Sequence, residues 1–281
     1  MSSPLKFITN QVEIKDKFTL AKTWNKFHSI GNDLLIYSLN QAAIIGSEPY
    51  SFCSNILDLK TEQTHLQKIL RKIKFNCKSN NVKYLKKSSF IDNGFPRGVL
   101  FSTNAKKNQF TTLKKGNLLV ALSTRSINLL GYKLISNIII KNNIQPHFNL
   151  KEIRTTVKCE LMAELDNYYY IIKQITEKYT LSGIVSLQNF GLELALNNFL
   201  PNNFGVEVLK HSFPYPTIYH YLQEWGKIST KKIFSTFNLG MGCLIIIEPK
   251  EVETLMNFLI SQNQEAYIIG EISRQPGFRW L

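Results

Sequence analysis

Hydrophobic and polar positions along this chain follow two repeats, about 2 residues in strand-like runs and about 3.6 in helix-like ones. Leu5–Ile8 and Tyr50–Leu57 read as strands, and Phe18–Phe27 is mixed. Leu34, Leu35, Tyr37, Ser38, Ala42 and Ile45 recur at i, i+3 and i+4 steps and predict a helix over Asp33–Ile45, stopped by Gly46 and Pro49. Leu66, Ile69, Leu70 and Ile73 predict a basic amphipathic helix over Thr61–Asn76. Val82–Leu85 and Gly98–Ser102 read as strands around a polar loop with Gly94 and Pro96. A second block opens with a strand at Leu118–Leu122. Helices follow at Gly131–Asn142, Glu160–Lys178, Leu192–Phe199, Thr217–Trp225 and Val252–Gln262, with strands at Gly183–Ser186, Cys243–Ile247 and Ala266–Ile272. The Tyr168–Tyr170 block suits packing, because three consecutive residues cannot share one helix face. The order of elements predicts an α+β chain of two domains, 1–112 and 113–281.

Composition narrows the class. With 281 residues, 44% hydrophobic and 19% charged, the chain has material for one large domain or two of ordinary size and is not disordered. No apolar run approaches the roughly 18 residues of a membrane span, and the N-terminus lacks a signal-peptide core. A cytoplasmic location is the expectation. Cys53, Cys77, Cys159 and Cys243 are scattered without metal-ligand spacing and read as ordinary buried or half-buried thiols. The five histidines lie far apart, so no metal site is expected. The net charge of +14 is concentrated in the first 115 residues, which hold 19 Lys/Arg against 7 Asp/Glu. Clusters at Lys68–Lys78, Lys83–Lys87, Lys106–Lys107 and Lys114–Lys115 could attract a polyanion, but a Lys-rich composition is the favoured explanation.

Residues 235–242, Ser-Thr-Phe-Asn-Leu-Gly-Met-Gly, form a turn ahead of the apolar run from Cys243. With Ile30-Gly-Asn-Asp33, Leu39-Asn40, Ile45-Gly46-Ser-Glu48-Pro49, Leu118–Leu122, Gly131-Tyr132 and Phe213-Pro-Tyr-Pro, it resembles the aminoimidazole ribonucleotide synthase family in order and spacing. The resemblance implies a two-domain α+β synthase-like fold, the first domain's sheet pairing with a partner's sheet in a dimer. It also implies an active site between the domains, where ATP and Mg²⁺ serve ring closure of formylglycinamidine ribonucleotide.

Several positions depart from the family pattern. Its Gly-rich phosphate loop falls on Thr9–Lys17, where Asn10, Val12 and Glu13 replace the loop's chemistry and Ile14 adds bulk; Lys17 matches the family's lysine. The family's Asn-Asp pair becomes Asn40-Gln41, and its Gly-Gly-Glu-Thr turn falls near Lys86–Ser89. Its histidine becomes Asn128. The His-Ile-Thr-Gly-Gly-Gly segment becomes Ser186–Gly191, with Asn189 and Phe190 inside it. Phe237, Asn238, Gly240 and Gly242 keep the structural turn.

No residue is therefore assigned a catalytic role, and neither cofactor nor metal is expected. The leading expectation is a non-catalytic homologue acting as dimer partner, scaffold or regulator, as homodimer or heterodimer with a related chain. A second reading is a divergent ATP- and Mg²⁺-dependent enzyme drawing carboxylates from Asp16, Asp33 or Glu48. A third is a nucleic-acid or polyanion binder that uses the basic first domain. No membrane partner is expected.

Overall fold

In the computed structural model, residues 7–56, 62–85, 94–103 and 108–281 are described. Lys86–Ser89 and the lysines at 106 and 107 lie outside these residues. Contacts divide the chain into two units, Met1–Asn108 with Met162–Lys173, and Gln109–Leu161 with Gln174–Leu281. The first break is four residues before the expected boundary at 112. The second unit, expected to be continuous, cedes Met162–Lys173 to the first.

The first unit contains β1 (Phe7–Glu13), α1 (Asp16–Trp24), α2 (His28–Ile45), β2 (Glu48–Asn55), α3 (Gln63–Ser79), β3 (Lys83–Leu85) and β4 (Arg97–Thr103). Its sheet runs β1-β4-β2-β3. Thr9–Glu13, expected as a degenerate loop, continues the first strand. Val12 pairs with Gly98 and Glu13 with Arg97, so an alternating segment without glycine satisfies its backbone in a ladder. The mixed Phe18–Phe27 stretch is mostly helix. α2 begins five residues before its predicted start and ends where Gly46 stops it. Most of its residues are buried, including Asn32, Asp33 and Asn40. Such a helix lies in a core, and its polar groups need partners there.

The second unit contains β5 (Leu118–Ser123), α4 (Tyr132–Lys141), the short strands β6 (Asn149–Leu150) and β7 (Thr155–Thr156), and α5 (Val157–Leu161). After α6 (Tyr169–Lys178), within which the unit boundary falls, come β8 (Leu181–Ser186), α7 (Leu192–Phe199), β9 (Gly205–Val208), α8 (Ile218–Gly226) and α9 (Thr230–Thr236). β10 (Met241–Ile247), α10 (Pro249–Ser261), β11 (Ala266–Ser273) and β12 (Gly277–Trp280) complete it. The sheet order is β12-β9-β11-β5-β10-β8. All its pairs are antiparallel except β12 with β9. β10 is buried along its whole length, which explains its unbroken apolar sequence.

One predicted element is absent. Glu160–Lys178 is not one helix; α5 stops at Leu161 and α6 starts at Tyr169, with Met162–Tyr168 non-helical between them. In this segment Met162, Leu165 and Tyr168 are buried at a spacing of three. Tyr169 is also buried and Tyr170 is exposed, so the tyrosine block packs as expected.

Cys53, Cys77 and Cys243 are buried and Cys159 is exposed. Burial pushes the Cys77 and Cys243 thiols up to about 12, which removes the reactive thiolate at neutral pH. Labelling the native protein with a thiol reagent is expected to modify Cys159 rapidly and the other three only after denaturant is added. Fast labelling of Cys243 in the native state would contradict the packing described.

Candidate functional site

The first unit holds a cluster of buried polar side chains around the Met162–Tyr168 segment. Lys17 on α1 is 1% exposed. Its Nζ donates to Asp33 Oδ2 and to the Ala163 carbonyl, each at 2.6 Å. Asp33 Oδ1 accepts the Leu165 N–H at 2.8 Å. Asn32 Nδ2 donates to the Leu165 carbonyl at 2.9 Å, while its own oxygen accepts from Asn76 Nδ2 on α3. Asn40 Nδ2 donates to the Asp166 carbonyl, and its Oδ1 accepts the Tyr168 N–H, both at 2.8 Å.

The spacing has a simple basis. Asp33 and Asn40 are seven residues apart on α2, two turns and about 10.5 Å along one helix face. Leu165 and Tyr168, whose N–H groups they receive, are three residues apart, about 10 Å of extended chain. The helix thus offers side-chain acceptors at the repeat of an extended strand. Further contacts extend the grip: Glu164 meets His28 at 2.6 Å and Lys72 at 2.9 Å, and Glu48 accepts from Tyr169 and Lys173. The Lys173 ammonium and the Tyr169 hydroxyl hold the Glu48 carboxyl below its ordinary range, against partial burial.

The nucleotide-loop candidates do not converge. Register places Asn10 and Val12 with Leu100 and Gly98 on one sheet face, and a Cβ at Gly98 would touch the Leu34 carbonyl of α2. Val12 is buried there, and Asn10 Nδ2 is buried without a partner among the described residues. Glu13, on the opposite face, is ion-paired to Arg97. Glu13, Arg97, Asn55 and Cys53 line a cavity of ≈ 380 Å³ with Gln11, Val12, Gly98 and Val99. Lys17 lies apart from this mouth, its ammonium committed to Asp33 and Ala163. Gln41 is half-buried beside Asn40. Of the alternative carboxylates, Asp33 has both oxygens engaged and Glu48 is bonded to Tyr169 and Lys173, while Asp16 opens α1.

In the second unit the sequence candidates do meet. Asn128 is fully buried; its Oδ1 accepts the Asn238 N–H and its Nδ2 donates to the Thr236 carbonyl, both at 3.1 Å, and to the Asn189 carbonyl at 3.4 Å. Asn238 donates to the Ser126 carbonyl at 3.0 Å and accepts from the Tyr219 hydroxyl at 2.9 Å. Burial raises the Tyr219 pKa well above the phenolic range, keeping it a neutral donor. Phe237 is fully buried against Gly131, where a Cβ would sit 2.7 Å from the ring. Gly240 has φ +82° and faces Pro216, so a side chain there is opposed by both conformation and space. Gly242 accepts the Leu187 N–H through its carbonyl. Asn189 contributes a carbonyl, and its side chain is half-buried. Asn128 thus works as an internal fastener joining three loops.

Sequence reasoning passed over the roles of Asn32, Asn76, Glu164 and Arg97. The i, i+7 pair Asp33 and Asn40 in a largely buried helix was the available signal for the clamp.

Over 93% of its length the chain is 22% identical to the phosphoribosylformylglycinamidine cyclo-ligase of Oceanobacillus iheyensis and 24% identical to that of Neisseria gonorrhoeae, covering 79% and 78% of those proteins. Among solved structures, thiamine-monophosphate kinase from Stenotrophomonas maltophilia superposes with a TM-score of 0.73 at 10% identity, covering 99% of this chain and 85% of that one. The hydrogenase maturation protein HypE of E. coli gives 0.70 at 15% identity, covering 99% and 83%. At these identities the structural likeness concerns the fold. No protein-family model matches the chain.

Replacing Lys17 by Met leaves Asp33 buried with its main counter-charge gone, and about 3–5 kcal/mol of stability is expected to be lost in denaturant titration. Asn40→Ala orphans two backbone groups and is expected to cost about 2–4 kcal/mol, against about 0.5 kcal/mol or less for Gln41→Ala. Equal effects at 40 and 41 would contradict the clamp. Because the Glu48 pKa is lowered from 4.5, its contribution is complete above that unfolded value and fades as pH falls through the folded one. A Glu48→Gln variant is therefore expected to lose less thermal stability than the parent in that acid range.

Proposed function

We propose, from the premise that the chain belongs to the aminoimidazole ribonucleotide synthase superfamily, that it is a non-catalytic homologue serving as a dimer partner or scaffold. Its curated relatives are cyclo-ligases, and HypE has been solved in complex with ATP. A chain that gripped a triphosphate and Mg²⁺ in that manner would need open backbone and carboxylates free to meet the metal.

The observation that carries the proposal is the use already made of the relevant groups. The lysine at the family's position is sealed in a 2.6 Å pair with Asp33, and Asp33 also holds the Leu165 N–H. Glu13 sets a carboxylate, ion-paired to Arg97, where phosphate would approach. Asn128 spends its amide on three loop contacts and has no proton-transfer capacity. Lys17, Glu13 and Asn128 each have a structural occupation, which supports a fold maintained for its own sake.

A partner fits the sheet of the first unit. Thr9, Gln11, Val99 and Phe101 share the face opposite α2 by register, and the family resemblance has this sheet pair with its counterpart in another chain. A homodimer, or a heterodimer with a related chain, is the assembly this reading favours.

Calorimetric titration of the folded protein with Mg²⁺ and ATP is expected to give no binding heat up to millimolar nucleotide. The gene is likewise expected not to restore growth without purines to a strain lacking its cyclo-ligase. Tight Mg²⁺-dependent ATP binding, abolished by Asp33→Asn, would overturn the proposal and establish a divergent enzyme.

A further inference from the structure

Helix α3 carries five cationic residues, Lys68, Arg71, Lys72, Lys74 and Lys78, and no acidic residue between Gln63 and Ser79. The fold sorts them. Ile69, Ile73, Asn76 and Cys77 are buried, and Lys72 reaches Glu164. Lys68, Arg71, Lys74 and Lys78 remain exposed. They recur at steps of three, three and four, a single stripe about 15 Å long. In the middle stands Phe75, 65% exposed.

A Lys-rich composition alone does not produce this arrangement. Like charges at i+3 and i+4 destabilise a helix, and among the described residues none of these four forms an ion pair. Lys74 lies over the Tyr84 ring at 6.0 Å. By contrast, the exposed helix α10 mixes Lys250 with Glu251 and Glu253. An external polyanion would relieve the repulsion along α3.

We infer that the exposed stripe of α3 is a binding site for single-stranded nucleic acid, with Lys68, Arg71, Lys74 and Lys78 on phosphates and Phe75 stacked on a base. Cations that track a backbone around an aromatic platform are the combination such strands require. A bilayer fits less well. The apolar face of α3 is spent in the protein's own core, leaving Phe75 alone to enter an acyl layer, whereas interfacial helices present a whole apolar face.

The test is fluorescence anisotropy of the full chain with a labelled oligothymidylate, the matching duplex, and vesicles containing phosphatidylserine. With four phosphate contacts, single-strand affinity is expected to fall about 50-fold between about 50 and 200 mM salt. The variant Lys68→Glu/Arg71→Glu/Lys78→Glu is expected to bind at least about ten-fold more weakly, at a melting temperature no lower than the parent's. The control Lys133→Glu/Lys210→Glu/Lys231→Glu makes the same charge change on exposed residues of the second unit and is expected to bind nearly as the parent does. Phe75→Ala is expected to lower single-strand affinity about five-fold or more and spare the duplex. Three results overturn the inference: equal losses in the two triple variants, affinity indifferent to salt, or stripe-dependent capture by vesicles without oligonucleotide binding. None depends on whether the chain binds ATP.

Discussion

The pair between Lys17 and Asp33 is the contact on which the first unit depends. Two opposite charges with no solvent exposure are stable only when nearly every remaining donor and acceptor is used. Here the remaining capacity goes to the main chain of Met162–Tyr168, a segment without secondary structure that must find partners for its own buried groups. Each side solves the other's problem: the segment completes the solvation of the ion pair, and the pair with Asn32 and Asn40 replaces the missing ladder. That exchange ties residues more than a hundred positions apart in sequence into one unit.

A similar economy governs the second unit, with neutral groups. Asn128 and Asn238 lock the turn that leads into β10, and Tyr219 completes the set. Leu239 sits at φ 53° beside Gly240, a conformation that non-glycine residues adopt only where surrounding contacts fix it. Two asparagines supply those contacts. The turn's residues suit its demanding geometry, whether or not any ligand reaches it.

How much of this was legible follows from the range of the interactions. The strong helix of α2, its end before Gly46, and the apolar strand beyond Gly240 are set by neighbours in sequence, and the pattern revealed them. The resemblance to the cyclo-ligases was legible for the same reason, since the motifs that carry it are turns and helix ends. The break at Met162–Tyr168 was not. Leu161, Leu165, Tyr168, Tyr169, Ile172 and Ile175 fit a helical repeat, yet in the extended part Met162, Leu165 and Tyr168 also recur every third residue, so periodicity is ambiguous there. What decides between the two is capture by α2, which lies far away in sequence. β9 and β12, four residues each and each carrying a charged residue, Glu207 or Arg279, were also missed. Among the site residues, Lys17 was singled out in the sequence, but its partner Asp33 could be found only in three dimensions.

Hydrogen exchange at the Leu165 and Tyr168 amides tests the clamp most directly, because neither belongs to a helix or strand ladder. If Asp33 and Asn40 hold them as described, both amides exchange as slowly as the core of α2 and become fast in Asp33→Ala and Asn40→Ala respectively. Rapid exchange of both in the native parent chain would contradict the account at its centre.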